Sequence, residues 1–71
     1  MLNMMVIGHR CECYRKKVLK CIQKDVAIET GFSCGNVSAF ETGRNDSTLI
    51  FLWYLKHGMT LEQVLGGEPI E

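Results

Sequence analysis

The chain has 71 residues, room for a single domain with a small core, since a chain of this length buries only about 60% of its unfolded surface. Hydrophobic residues make up 46% of it and charged residues 23%, which excludes a disordered segment. The net charge is zero, but residues 1–24 carry six cations and one acid, whereas residues 25–71 carry two cations and seven acids. This asymmetry suits a nucleic-acid partner if the fold gathers the cations on one face; a solvated first helix is the alternative.

No part of the sequence approaches the roughly 20 apolar residues of a membrane span, and the N-terminus lacks the basic segment of a signal peptide. We therefore expect a cytoplasmic protein with reduced cysteines and no membrane partner. Cys11 and Cys13 are one residue apart, while Cys21 and Cys34 stand alone, which is not the spacing of a zinc site. We expect no metal and no cofactor; metal or redox use is the alternative to structural or incidental thiols.

The spacing of apolar residues predicts an all-α fold, a compact bundle of about five short helices. The first helix, over about residues 6–19, carries a stripe with helical spacing: Ile7, Cys11, Tyr14 and Val18. A second helix over about 23–30 stops at Gly31, a residue that tolerates the left-handed conformation ending a helix. Ser33 is a suitable N-cap for a third helix over about 34–42.

The sequence of the C-terminal part predicts two more helices. In the fourth helix, three leucines are expected to face the core, with the aromatic residues around its flanks: Leu49, Leu52 and Leu55, flanked by Phe51, Trp53 and Tyr54. Residues 60–63 have the form of a capping box, with threonine at the cap and glutamine three residues later, and they open a last helix through Leu65. Two glycines then lead into a loose tail.

The segment from Gln23 to Arg44 is the most informative. A short helix containing the small Ala27 leads through a Thr-Gly-Phe turn to a serine-capped helix. A close crossing of the two helices requires a small residue at position 27 and a permissive backbone at Gly31. Such a corner lets the second helix stand outward and enter a major groove about 12 Å wide. The pattern predicts a helix-turn-helix.

This segment resembles the phage lambda repressor and Cro-like helix-turn-helix proteins, the xenobiotic-response-element family. The matching positions run without a gap: Gln23, Ala27, Gly31, Ser33, Val37, Ser38, Glu41, Thr42 and Gly43. Residues 7–10, 14–17 and 60–65 extend the likeness, which covers about residues 6–66. The resemblance implies a lambda-repressor-like DNA-binding domain over 6–66, an N-terminal arm over 1–5 and a flexible tail over 67–71.

The resemblance also implies roles for individual residues. Gln23 would contact a phosphate and brace the recognition helix, and Arg44 and Asn45 would contact the DNA backbone. Arg15 and Glu41 would form a partly buried ion pair between helices 1 and 3, with two unrelated surface charges as the alternative. The recognition helix would present small outward groups to DNA: Ser33, Cys34, Gly35, Asn36, Ser38 and Ala39.

The sequence departs from the family pattern at four places. One extra residue separates the 14–17 segment from Gln23, Ile22 replaces the Ser or Thr cap of helix 2, and helix 4 is about two residues shorter. The recognition helix lacks arginine, so Asn36 is the only side chain suited to bidentate contact with a base. Contact of Asn36 with phosphate or solvent is the alternative.

We therefore expect a sequence-specific DNA-binding transcriptional regulator of phage or mobile-element type, not an enzyme. It would bind a double-stranded operator as a homodimer, with half-sites about 34 Å apart. Dimer contacts would come from helices 4 and 5 or the tail, with Trp53 or Phe51 as the patch unless Trp53 is core. The alternative is an antirepressor or antitoxin-like interaction module with weak or no DNA binding. We expect no small-molecule substrate, because the histidines lack a catalytic partner at a known spacing.

Overall fold

The computed structural model describes residues 3–70, which contain five α-helices, one π-helical segment and no strand. The all-α fold predicted from the sequence is confirmed. The elements in chain order are α1 (Met4–Tyr14), the π segment (Arg15–Leu19), α2 (Gln23–Thr30), α3 (Cys34–Glu41), α4 (Thr48–Lys56) and α5 (Leu61–Leu65). No helix in the described part of the chain combines the length and apolarity needed to cross a membrane.

The first helix begins two residues earlier than expected. The side-chain oxygen of Asn3 accepts a hydrogen bond from the backbone N–H of Met5 at 2.9 Å, so Asn3 acts as the N-cap. Met4 and Met5 therefore belong to α1 and not to an arm over residues 1–5. The first two residues of that predicted arm lie outside the described residues.

The end of the first helix is a π-helical turn, in which the N–H of Lys20 bonds the carbonyl of Arg15 five residues back. Ile7, Cys11 and Tyr14 are buried as predicted, but Val18 is 43% exposed and Arg15 is buried instead. The placement of Val18 on the apolar stripe was wrong, because the wider turn shifts the register after Tyr14. The π turn accommodates the extra residue noted before Gln23.

Helices α2 and α3 meet at a three-residue corner. Ile22 provides no side-chain acceptor for α2, and the carboxylate of Asp25 accepts its N–H instead, at 3.0 Å. The helix stops at Gly31, whose φ is +79°. Ser33 then caps α3 by accepting the N–H of Asn36 at 3.2 Å. The side chains that fill the corner are buried: Val26, Ala27, Val37 and Phe40.

The inner face of α4 differs from the expectation. Leu49 and Leu52 are 58% and 49% exposed, whereas the buried side chains are Ile50, Trp53 and Tyr54. The prediction was wrong for Leu49 and Leu52, by about one residue of helix rotation, whereas the third leucine, Leu55, packs partly buried against the core. The helix is apolar on nearly all sides, so spacing alone does not choose its inner face. In the observed rotation, Trp53 and Tyr54 make polar contacts with α2 and α3.

The C-terminal segment folds back onto α1. The predicted capping box is present, since Gln63 and Thr60 exchange hydrogen bonds of 3.0 and 3.1 Å at the start of α5. Arg10 of α1 then donates to the backbone carbonyls of Gln63 and Glu68. Ile70 packs against the core. Residues 67–70 thus have specific contacts with the domain, unlike the flexible tail predicted over 67–71, whose last residue lies outside the described residues.

Helices α1 and α3 approach each other closely at Gly8. A Cβ atom at Gly8 would overlap the carbonyl of Phe40 and lie 2.8 Å from the carbonyl carbon of Glu41. Only glycine allows this distance between the two backbones. The contact fixes the position of α3 against the rest of the domain.

Candidate nucleic-acid interface

One side of α3 is open to solvent. Cys34, Gly35 and Asn36 are exposed, and Ser38 and Ala39 are half-buried. The buried positions of α3 lie on the opposite side of the helix. Helical spacing places four small residues along the middle of the outward side, which we call the α3 face: Gly35, Ser38, Ala39 and Thr42. Thr42 was missing from the residues assigned to DNA contact, although its spacing of seven from Gly35 places it on this line.

The α3 face is uncharged. None of the hydrogen bonds found within residues 3–70 joins a carboxylate to residues 33–39. The face itself carries no acidic side chain. It also carries no cation of its own, so attraction to DNA must come from neighbouring segments.

Asn36 is engaged in the cap of its own helix. Its side-chain oxygen accepts from the hydroxyl of Ser33 at 2.9 Å and from the N–H of Ser33 at 3.3 Å. Bidentate recognition of adenine uses the amide oxygen and the NH2 group together. In the free chain, Asn36 offers only its NH2 group, and bidentate contact would require Ser33 to release the oxygen.

The loop after α3 is ordered by its own polar side chains. Arg44 donates from Nε to the hydroxyl of Thr42 at 3.0 Å, and its terminal nitrogens make no hydrogen bond within residues 3–70. Asn45 donates to the carbonyl of Asn36 at 3.3 Å and accepts from the N–H of Ser47 at 3.2 Å. Asn45 therefore fastens the loop to α3, while the guanidinium of Arg44 remains available at the end of the α3 face.

The ion pair expected between Arg15 and Glu41 is present and buried. Two guanidinium nitrogens of Arg15 donate to the two carboxylate oxygens of Glu41, at 2.8 and 3.1 Å. Tyr54 donates its hydroxyl to the same carboxylate at 2.7 Å, and the amide of Gln23 donates at 3.0 Å. Gln23 thus braces the end of α3, as the resemblance implied. One of the two N–H donors of its amide is used in doing so.

Protonation of this cluster follows from its contacts. Burial by itself would raise the pKa of Glu41, but hydrogen bonds from Arg15, Tyr54 and Gln23 outweigh it and hold the pKa below its usual value. The hydrogen bond to Glu41 raises the pKa of Arg15, and burial raises the pKa of Tyr54. At neutral pH the cluster is therefore an ionised pair with a neutral phenol.

The cations of residues 1–24 divide into two groups. Arg10 and Arg15 are used inside the molecule, and Lys16 forms an exposed ion pair with Glu12 at 3.1 Å. The remaining exposed lysines have no acid within 4 Å in the part of the chain that the structure describes: Lys17, Lys20 and Lys24. We call these three the lysine segment.

The lysine segment lies near one end of α3. It follows the chain from the π segment into the start of α2, where Gln23 reaches Glu41 at the last position of α3. Arg44 follows that same end of the helix. The chain that carries these lysines therefore reaches the C-terminal end of α3, and the molecule can be basic on that side despite its zero net charge.

The cysteines are free thiols in different surroundings. Cys11 is fully buried, and burial, followed by the charge of Glu41, raises its pKa to about 12, so it is an unreactive thiol. Cys34 is exposed at the start of α3. Cys13 lies 3.6 Å from the imidazole of His9. No group of three or more His, Cys, Asp or Glu side chains within residues 3–70 is arranged to hold a metal ion.

A second exposed surface is apolar. Trp53 is core, since it is 8% exposed and donates its indole N–H to Glu29 at 2.8 Å. The exposed leucines beside it line a groove of about 260 Å³ between α2 and α4, together with one acid and one base. We call this the α4 surface: Leu49, Leu52, Glu29 and Lys56. Of the two aromatic residues considered for a dimer patch, Trp53 is thus buried, and Phe51 is half-buried.

These residues define the site from this chain alone: an exposed helix of small side chains, a loop with an available guanidinium and an adjacent lysine segment. Comparison with protein-family models, with curated proteins and with solved structures gives no match to this chain.

Proposed function

We propose that this chain is a sequence-specific DNA-binding transcriptional regulator in which α2 and α3 form a helix-turn-helix. The observation that carries the proposal is the open, uncharged α3 face, held outward at a tight corner by the buried pair of Arg15 and Glu41. An α-helix exposed in this way fits the major groove of double-stranded DNA. The lack of long side chains allows the α3 backbone to approach the base edges closely.

Affinity in this proposal comes mainly from phosphate contacts. The lysine segment and the terminal nitrogens of Arg44 supply the positive charge beside the α3 face. Half to two-thirds of protein–DNA hydrogen bonds generally go to phosphate and sugar, and these contacts position the recognition helix. Base discrimination falls to the NH2 group of Asn36, to the hydroxyl of Ser38 and to DNA shape.

A regulator of this size would act as a homodimer, because one small domain covers little DNA. We propose the α4 surface as the contact between copies. A two-fold interface must be complementary to itself. The exposed Leu49 and Leu52, flanked by the acid Glu29 and the base Lys56, meet that requirement. Two α3 helices would then enter successive turns of the groove, about 34 Å apart.

A band-shift titration against genomic fragments at two salt concentrations tests the DNA proposal. The logarithm of the binding constant should fall linearly with the logarithm of salt, by about 0.9 for each phosphate neutralised. Lys20→Gln and Lys24→Gln should each make the slope shallower by about one. Lys16→Gln, at an exposed lysine that is already paired with Glu12, is the matched control and should leave the slope unchanged. No binding at low salt would refute the proposal.

An interaction module with weak or no DNA binding is the second candidate. It is favoured by the absence of charged side chains from the α3 face and by the exposed leucines of α4. An antirepressor or antitoxin-like protein would use these surfaces to hold another protein. The same titration separates the candidates, because this one predicts no salt-dependent affinity for any fragment.

A further inference from the structure

An apolar cleft of about 370 Å³ opens between the start of α1, the loop before α4, α4 itself and α5. Its floor reaches the buried residues Ile7, Phe40 and Val64. The walls are formed by partly or fully exposed residues: Met4, Thr48, Phe51, Leu61 and Leu65. The volume lies within the range of about 300–1,000 Å³ that small-molecule pockets occupy.

One carboxylate lies at this cleft. Asp46 is the single charged residue that lines it among residues 3–70, and it is exposed to solvent. It makes no ion pair within the described chain. A molecule that places an apolar body in the cleft and a positive charge at its mouth would complement both features.

We propose that this cleft binds a small molecule that has an apolar body and a terminal amine. The apolar body lies against Phe51, Leu61 and Leu65, and the ammonium group lies beside Asp46. The proposal is independent of DNA binding, because the cleft shares no residue with the α3 face or the lysine segment.

The dimensions favour a small molecule over a second copy of the chain. A stable protein interface covers about 800 Å² and about 20–30 residues on each partner. The cleft is lined by nine residues. The cleft by itself supplies only part of such an interface, whereas it can hold the apolar body of a small molecule without any surrounding surface.

Titration of the full chain with octylamine, hexylamine and octanoate, followed by NMR of the backbone amides, tests the proposal. Octylamine should bind saturably and shift the amides of Phe51, Leu61 and Leu65. Each buried methylene strengthens binding by about fourfold, so hexylamine should bind about 15-fold more weakly. Octanoate should bind about threefold to fivefold more weakly than octylamine, because its carboxylate meets Asp46.

Two variants separate the charge from the cleft. Asp46→Asn should bring the dissociation constants of octylamine and octanoate to within about twofold, while the chain-length effect persists. Leu65→Trp should fill the cleft and weaken octylamine at least tenfold. Leu52→Trp is the matched control, since these leucines are 51% and 49% exposed and Leu52 lies on the α4 surface. Its octylamine affinity should equal that of the unmodified chain.

Three results would overturn the proposal. The site would be refuted if octylamine binding did not saturate. It would also be refuted if the amide chemical shifts were confined to the groove of Leu49 and Leu52. An amine preference that survives Asp46→Asn would remove the role of the carboxylate. Octylamine affinity that falls as protein concentration rises would assign the cleft to a second copy of the chain. If any variant fails to fold, the chain-length series on the unmodified protein still decides between the outcomes.

Discussion

At the residue scale, the molecule is organised around the carboxylate of Glu41. Side chains from the π segment, from α2 and from α4 donate to it: Arg15, Gln23 and Tyr54. A buried charge is costly unless it is paired and hydrogen-bonded, and here both oxygens are satisfied. The network takes the place of apolar packing at the point where these four elements meet. It therefore fixes the position of the end of α3 relative to the other helices.

Arg15→Met should be severely destabilising. It leaves the carboxylate buried without its cation, which costs about 3–5 kcal/mol of the roughly 5–15 kcal/mol that stabilises a protein. Lys16→Met is the control, because its pair with Glu12 is exposed and contributes about 1 kcal/mol or less. Urea unfolding followed by circular dichroism measures both. Equal losses in the two variants would show that the buried pair does not hold α3.

The same carboxylate predicts a loss of stability in acid. The pKa of Glu41 is lower in the folded chain than in the unfolded one, so the unfolded chain takes up a proton at higher pH. Its contribution is complete above the unfolded pKa and is lost as pH falls below about 4.5. Glu41→Gln should be less stable at neutral pH and show a flatter dependence in acid. A slope in acid as steep as that of the unmodified chain would contradict this assignment.

Substitutions of Asn36 and Arg44 at the proposed DNA interface should have different effects on DNA binding. Asn36→Ala should change base preference at one operator position, and it also removes the side chain that bonds the N-cap Ser33. Arg44→Ala should weaken binding to all sequences alike and make the salt slope shallower by about one. Binding to a panel of operator variants at two salt concentrations measures both. Uniform weakening by Asn36→Ala would indicate that it only orders α3.

At the element scale, the π turn after Tyr14 determines which residues at the end of the first helix face the core. Arg15 follows the buried Cys11 by four residues, so the α-helix itself places it on the inner side, and the π turn that begins there leaves Val18 exposed. Without that wider turn, helical spacing would place Val18 toward the core. The extra residue before Gln23 is thus accommodated by a local change from α-helix to π-helix, and the rest of the helix-turn-helix pattern is kept.

Glycine substitutions test the packing of α1 against α3. Gly8→Ala should destabilise the fold by about 1–3 kcal/mol, because its Cβ would collide with the backbone of α3. Gly35→Ala should instead stabilise α3 by about 1 kcal/mol, since the nearest atom to its Cβ would be 3.6 Å away. Thermal unfolding should show shifts of opposite sign. A gain from Gly8→Ala would mean that the two helices are not in backbone contact.

The Gly35→Ala variant also tests close approach to DNA. If the α3 backbone lies against the base edges, the added methyl group should weaken operator binding although the fold becomes more stable. Band shifts and thermal unfolding on the same preparation separate the two effects. Unchanged operator affinity would place Gly35 away from DNA.

At the scale of the whole molecule, surfaces with different properties lie apart from one another. The α3 face with its neighbouring lysines is polar, the α4 surface is apolar with mixed charges, and the cleft beside α5 is apolar with one acid. The zero net charge is therefore a sum over surfaces that differ in charge and polarity. The three partners proposed above, DNA, a second copy and a small molecule, would therefore bind at different places.

The proposed dimer predicts a concentration-dependent mass. In sedimentation, the unmodified chain should move from 8.1 kDa toward the dimer as concentration rises. Leu52→Asp should shift this equilibrium to the monomer, because a carboxylate would be buried in the interface. Leu61→Asp, at an equally exposed leucine of α5, should not. The reverse outcome would move the interface to α5 and the cleft.

The sequence by itself determined the features that depend on neighbouring residues. Gly31, Ser33 and Thr60 act on backbone groups within a few positions, so helix ends and the corner between α2 and α3 were predictable. The pairing of Arg15 with Glu41 came from the resemblance. The all-α fold followed from spacing, because helical periodicity is local.

Only the tertiary structure decided which side of α4 faces the core, how Arg10 is used and what occupies the oxygen of Asn36. The sequence of α4 is apolar on nearly all sides, and its rotation is associated with contacts between Trp53 and Glu29 and between Tyr54 and Glu41. Those partners are 24 and 13 residues away in the chain. Contacts of that separation depend on where the other helices lie, and no local pattern encodes them.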